Sequence, residues 1–129
     1  MGLSFFDEQR PVQQVNKIDA AVGTALVVAW NEEPFPSRVD WIIVANSDVI
    51  PHVVDVWYNK SSYGVLVGSV SVPAGAGYGG SPSIDLLAAM MAVPFTGLLF
   101  DNNGSLSYSV EVAVTAAFTV TLLTIGGDL

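Results

Sequence analysis

The chain of 129 residues contains a single histidine, His52, and no cysteine. Zinc centres draw three or four ligands from His, Cys and carboxylates, so His52 cannot complete a usual set. It is also the only imidazole available as the base of a hydrolytic triad, and no serine occupies the G-x-S-x-G turn that exposes a nucleophile. His52 follows Pro51 at the start of a β-rich run, which suits a structural or surface residue. Paired carboxylates could still act as acid and base, and Asp40, Asp48, Asp55, Asp85 and Glu111 are available. Their spacing gives no sign that any two converge. No catalytic residue is assigned, and the chain reads as non-enzymatic.

Gly75, Gly77 and Gly80 match G-x-G-x-x-G between a predicted strand and a predicted helix, with Asp101 further along. Dinucleotide binding requires a parallel βαβ unit whose helix N-terminus faces the pyrophosphate and whose acid caps the next strand. Here the helix is too short, Pro82 intervenes and Asp101 sits in a turn. The segment therefore reads as a flexible or subunit-contacting loop, and no cofactor is expected. Asp101-Asn102-Asn103-Gly104-Ser105 offers oxygen ligands, but the glycine comes two positions early for a calcium loop and position twelve is Val112, not glutamate. Asn-Gly between two strand-like runs predicts a tight hairpin turn instead. Glu32 and Glu33, before Pro34, read as a solvated turn. No metal site is expected.

Trp30, Trp41, Trp57, Tyr58, Tyr63 and Tyr78 could form a sugar-stacking platform, although aromatics at such positions are more often core or interface residues. Trp57 and Tyr58 are adjacent on a predicted strand and must point to opposite faces, so one of them is a candidate subunit contact. Tyr78 lies in the glycine-rich loop. Phe5 and Phe6 stand near the N-terminus, either folded back onto the domain or inserted into a neighbour. The candidate interface residues are thus Phe5, Phe6, Trp57, Tyr58 and Tyr78.

The elements that position these residues are mostly strands. Residues 1–22 hold five of the 16 charges and read as an arm with at most one short strand, followed by a β-domain over 23–129. Gly23–Trp30, Val39–Ala45, Val53–Tyr58 and Val65–Val72 are β-branched and aromatic runs at roughly ten-residue spacing, the pattern of an antiparallel sandwich or barrel. Val39–Ala45 and Val53–Tyr58 are nearly continuous in apolar residues, which suits strands covered on both faces. Residues 73–82 contain four glycines and two prolines and form a long connection. Ser81 can cap, and Pro82 open, one short helix near 82–91, with Asp85 in its first turn. Leu106 to Val114 alternates with period two, and Phe118 to Ile125 supplies another strand before Gly126-Gly127. The count is seven or eight strands.

The net charge is −8 and the four basic residues are scattered, which argues against nucleic acid as a partner. The longest apolar stretch, Leu86 to Phe100, is interrupted by Pro94, Thr96 and Gly97 and is shorter than the ~20 residues of a spanning helix, so no membrane partner is expected. Met1 to Phe6 lacks the basic head and apolar run of a signal peptide, so synthesis is expected inside the cell. Only 12% of residues are charged and 51% are apolar, against about 25% charged in an ordinary soluble domain. Much of the surface is therefore expected to touch other protein.

Val72-Pro-Ala-Gly75, Ser83-Ile-Asp-Leu-Leu-Ala88, Gly97-Leu-Leu-Phe-Asp101 and Gly126-Gly-Asp-Leu129 resemble segments of small β-rich structural proteins of tailed bacteriophages. The resemblance covers about residues 39–129. It implies a jelly-roll-like β-sandwich in the virion, made in the host cytoplasm and assembling as a homo-oligomer with the major capsid protein or other virion subunits. The implied role is capsid decoration or cement, with a neck, tail or baseplate component as the alternative. A carbohydrate-binding host-attachment module is the competing reading.

Overall fold

The computed structural model describes residues 11–30, 37–60, 63–90, 98–100 and 104–128. Among these residues nine strands run in the order β1 (Pro11–Asp19), β2 (Val27–Trp30), β3 (Ser37–Asn46), β4 (His52–Lys60), β5 (Tyr63–Val72), β6 (Ile84–Asp85), β7 (Leu98–Phe100), β8 (Gly104–Val110) and β9 (Thr119–Asp128), and one helix, α1 (Leu86–Met90), interrupts them.

The strands form two sheets, β1-β9-β3-β6 with β7 also on β3, and β2-β8-β4-β5. Every pairing among the described residues is antiparallel. The pairings are nested: β4 with β5 innermost, then β3 with β6 and β7, then β2 with β8, and β1 with β9 outermost. That nesting, folded over into two layers, is the jelly roll, two interlocked Greek keys. The nine strands fill eight ladder positions because β6 and β7 share one side of β3.

Alternation explains why these segments sit where they do. Leu106, Tyr108 and Val110 of β8 point inward, and Ser105, Ser107 and Ser109 outward. Ile18, Val39, Ile42, Val44, Val54, Val56, Val120 and Leu122 close the core from the other strands. Across the layers, the Tyr108 hydroxyl and Thr124 Oγ1 are hydrogen-bonded at 2.6 Å with both groups buried. Burial pushes the Tyr108 phenol well above its ordinary value, although the bond to Thr124 works the other way.

Several expected boundaries move. Pro11–Asp19, assigned by sequence to the arm, pairs with β9 along its whole length because Ile18 is a core residue and its polar neighbours face out. Phe5 and Phe6 lie outside the described residues, as do Glu32, Glu33 and Asp101. The helix is shorter than 82–91 among the described residues. Ile84 and Asp85 are extended against Val44 and Ile43, and the cap is Asp85, not Ser81. Its Oδ1 accepts from the backbone N–H of Leu87 at 3.1 Å and Ala88 at 3.5 Å. β7 and β8 do not pair as the hairpin expected around Asn103-Gly104 requires: β7 pairs in one sheet and β8 in the other, and residues 101–103 lie outside the described residues.

β9 runs through Gly126 and Gly127 to Asp128 instead of stopping at Ile125. β3 is bulged between Val39 and Trp41, opposite Gly126 and Ile125. A Cβ on Gly126 would collide with the backbone carbonyl of Arg38 and lie 2.9 Å from Val39 Cα. Only glycine allows the two backbones this close.

Candidate functional site

Three regions gather polar or exposed side chains that the core does not require. The first is the corner between β3 and β4. His52 Nε2 and Asp48 Oδ2 are 2.8 Å apart, with both side chains fully buried. Asp48 Oδ2 also accepts from the Thr115 backbone N–H at 2.8 Å, and Asp48 Oδ1 from that of Val49 at 2.6 Å. Burial pushes the Asp48 carboxyl upward, but the bonds from His52, Thr115 and Val49 outweigh it and hold it well below the usual carboxylate range. Asn46, also buried, accepts from the Asp48 N–H at 2.9 Å and donates to Ile50 O at 3.0 Å and Pro73 O at 3.2 Å. His52 Nδ1 is buried without a hydrogen-bond partner among the described residues.

This arrangement pins the Ser47–Pro51 corner to the connections that follow β5 and β8. Its carboxylate is enclosed and already engaged by backbone donors, so the pair braces the fold and meets no substrate. The sequence marks Asn46-Ser-Asp48 as a turn, and no helix or strand spans Asp48 to His52, so no periodicity signals that the two side chains meet.

The second region is the outer face of β2-β8-β4-β5. Trp57 points outward here, its indole N–H donating to Ser109 Oγ at 3.3 Å, whereas Tyr58 turns inward and packs against the core. Asp55 and Glu111, 56 positions apart, meet on this face. A hydrogen bond and like-charge repulsion between them raise the Glu111 carboxyl above its ordinary 4.5. Ser69 Oγ donates to Asp55 Oδ1 at 2.5 Å. Convergence invisible in sequence spacing thus follows from the β4–β8 register, which sets Asp55 opposite Ser109, two residues before Glu111. The two carboxyls touch, so they lack the ~5 Å or wider gap of a glycosidase pair.

The third region is the outer face of β1-β9-β3. Directly opposed residues form one row of Val15, Leu123 and Ile43, and the next row of Gln13, Ile125 and Trp41. Val15 is 61% exposed and Trp41 51%, and the other apolar members are partly covered. An antiparallel sandwich usually turns polar residues outward. The near-continuous apolar run of Val39–Ala45 is the signal in the sequence, but it did not single out Trp41, Val15 or Leu123. The glycine-rich loop borders this face: a Cβ on Gly77 would lie 2.8 Å from the Ala45 Cβ, and Tyr78 beside it is about half exposed. Gly75, Gly77, Gly79 and Gly80 all adopt positive φ, so the loop is a chain of tight turns between antiparallel strands, without a parallel βαβ unit around it.

Among the described residues no cluster of three or more His, Asp or Glu could hold a metal ion, and no helix is long and apolar enough to cross a membrane. Comparison of the chain with protein-family models, with curated proteins and with solved structures finds no match.

Proposed function

We propose that this chain is a non-enzymatic assembly subunit that functions by packing against copies of itself and other subunits of a larger particle. The observation that carries this reading is the outer face of β1-β9-β3, where Val15, Leu123, Ile43, Ile125 and Trp41 form one apolar patch across three strands. Such a patch on a chain of few charges marks a protein contact more than a solvated surface. Covering it contributes roughly 25 cal/mol per Å2 of apolar area removed from water, less the costs of association. The net charge of −8 opposes self-association. On β1, β9 and β3 this face carries Lys17 beside Asp19, and Arg38 is paired with Asp40 at 2.8 Å, so copies can meet here with little like-charge repulsion.

The resemblance of residues 39–129 to tailed-phage structural proteins points to a virion as the particle, with capsid decoration ahead of neck, tail or baseplate. The jelly roll is compatible with this as a fold of viral capsid domains, though lectins and cupins share it, so the fold alone names no function.

Sedimentation tests the assembly reading. The wild-type chain is expected to self-associate at micromolar concentration. Leu123→Glu, at the centre of the three-strand row, is expected to yield a folded monomer. A wild-type chain that stays monomeric, or a variant that associates as tightly, removes the self-assembly reading. Mass spectrometry of purified particles tests the virion assignment, which fails if complete particles lack the chain.

A further inference from the structure

We infer that the outer face of β2-β8-β4-β5 holds a second site, a groove that binds a short neutral saccharide. It has a volume of about 340 Å3, near the lower end of the ~300–1,000 Å3 of small-molecule sites. Leu26 and Val28 form one wall, Tyr63 and Gly64 the other, and Asn59, Ser105 and Ser107 the floor. None of these residues was chosen from the sequence as a binding residue, apart from Tyr63 among the aromatics.

The chemistry of the lining selects the ligand class. Ser107 is only 2% exposed and sits at the bottom, its Oγ accepting from Asn59 Nδ2 at 3.0 Å. That bond fixes the amide. The Asn59 carbonyl oxygen remains an acceptor, and each serine hydroxyl can both donate and accept. A sugar hydroxyl likewise both donates and accepts, so it matches such a floor in either direction. Tyr63 is 77% exposed, so its ring is open for a ligand to stack on. The ring and the Leu26–Val28 wall fit the C–H faces of a pyranose, while the floor meets its oxygens.

Charge decides between neutral and anionic ligands. No Lys or Arg is among the groove-lining residues, and Asp55 and Glu111 lie further along the same face. Together with the net charge of −8 they repel phosphates, nucleotides and acidic sugars. Gly64 is part of the construction: a Cβ there would lie 2.8 Å from Asn59 Oδ1 and push the amide out of place.

The test is a backbone-amide NMR titration of the intact chain. The probes are methyl glycosides of glucose, galactose, mannose and N-acetylglucosamine, with maltotriose, chitotriose and sialyllactose, each up to about 10 mM to catch millimolar binding. At least one neutral probe is expected to shift the amides of Asn59, Tyr63, Gly64, Ser105 and Ser107. Tyr63→Ala, at an exposed ring, should weaken that binding about tenfold without lowering Tm. Gly64→Ala should also weaken it by displacing Asn59, whereas Trp41→Ala, on the opposite sheet, should leave it intact. Absence of shifts with every neutral probe overturns the proposal. So do shifts centred elsewhere, persistence in Tyr63→Ala, or tighter binding of sialyllactose. Because the groove and the apolar patch lie on opposite sheets, these results and the sedimentation of Leu123→Glu succeed or fail separately.

Discussion

The two outer faces of this sandwich are built from the same kind of ladder and differ in whether polar groups line their central strands. Along β8 a strict alternation turns Ser105, Ser107 and Ser109 outward, where Ser107 accepts a hydrogen bond from Asn59 and Ser109 one from Trp57 of β4. Along β9 and β3 the outward positions are Leu123, Ile125, Trp41 and Ile43, directly opposed and partly exposed. Both sheets give the core what it needs through their inner faces. The outer faces are therefore free to differ: one sets a row of hydrogen-bonded polar groups between exposed apolar side chains such as Val28, Tyr63 and Leu66, and the other presents apolar residues side by side across three strands without such a row.

The largest perturbation removes one face altogether. Gly126→Ala forces a methyl group onto the Arg38 and Val39 backbone at the β3 bulge, detaching the middle strand of the apolar sheet. A loss on the order of 4 kcal/mol or more is expected, comparable with the whole stability of a marginal domain. Soluble yield and a urea unfolding curve check it, and a near-wild-type midpoint would mean the close approach is not needed. A smaller change loosens the tie between the faces. Tyr108→Phe leaves the Thr124 hydroxyl buried without its partner and should cost about 1 kcal/mol, most of it recovered in the Tyr108→Phe, Thr124→Val double variant.

The smallest effect touches the polar face alone. Glu111 holds its proton more tightly in the folded chain than in the unfolded one. Its contribution to stability is therefore complete below 4.5 and is lost as pH rises through the raised value. Asp48 has the opposite sign: its contribution is present above its ordinary 3.8 and is lost as pH falls below that. Glu111→Gln should flatten the decline in Tm between about pH 4.5 and pH 7 and leave the acid limb in place. An unchanged decline would show that Glu111 does not hold its proton more tightly in the folded chain.

Local pattern carried much of the architecture. Period two in Leu106–Val114, of which the structure keeps the strand only to Val110, glycine and proline in residues 73–82, and β-rich runs at regular spacing lead directly to an antiparallel sandwich with one short helix. The same pattern misled at Asn103-Gly104, because turn propensity is local whereas the choice of sheet for β7 and β8 is set by pairing with distant strands. Residues 11–19 looked like an arm because only Ile18 lies deep in the core, and their partner strand is about a hundred positions away. The sites were less legible for the same reason. Trp57 and Tyr58 could be assigned to opposite faces, but which face was the core depends on β8. Asp55 with Glu111, Asn59 with Ser107, and Val15 with Leu123 are neighbours only through register, which sequence spacing does not encode.

The position of β9 also sets an order of events. This strand follows all the others in the chain yet fills the middle of its sheet, between β1 and β3. Leu123 and Ile125 therefore join Val15, Ile43 and Trp41 only after everything upstream has been made. A chain made only as far as β8 lacks Leu123 and Ile125 and so does not display the completed apolar patch.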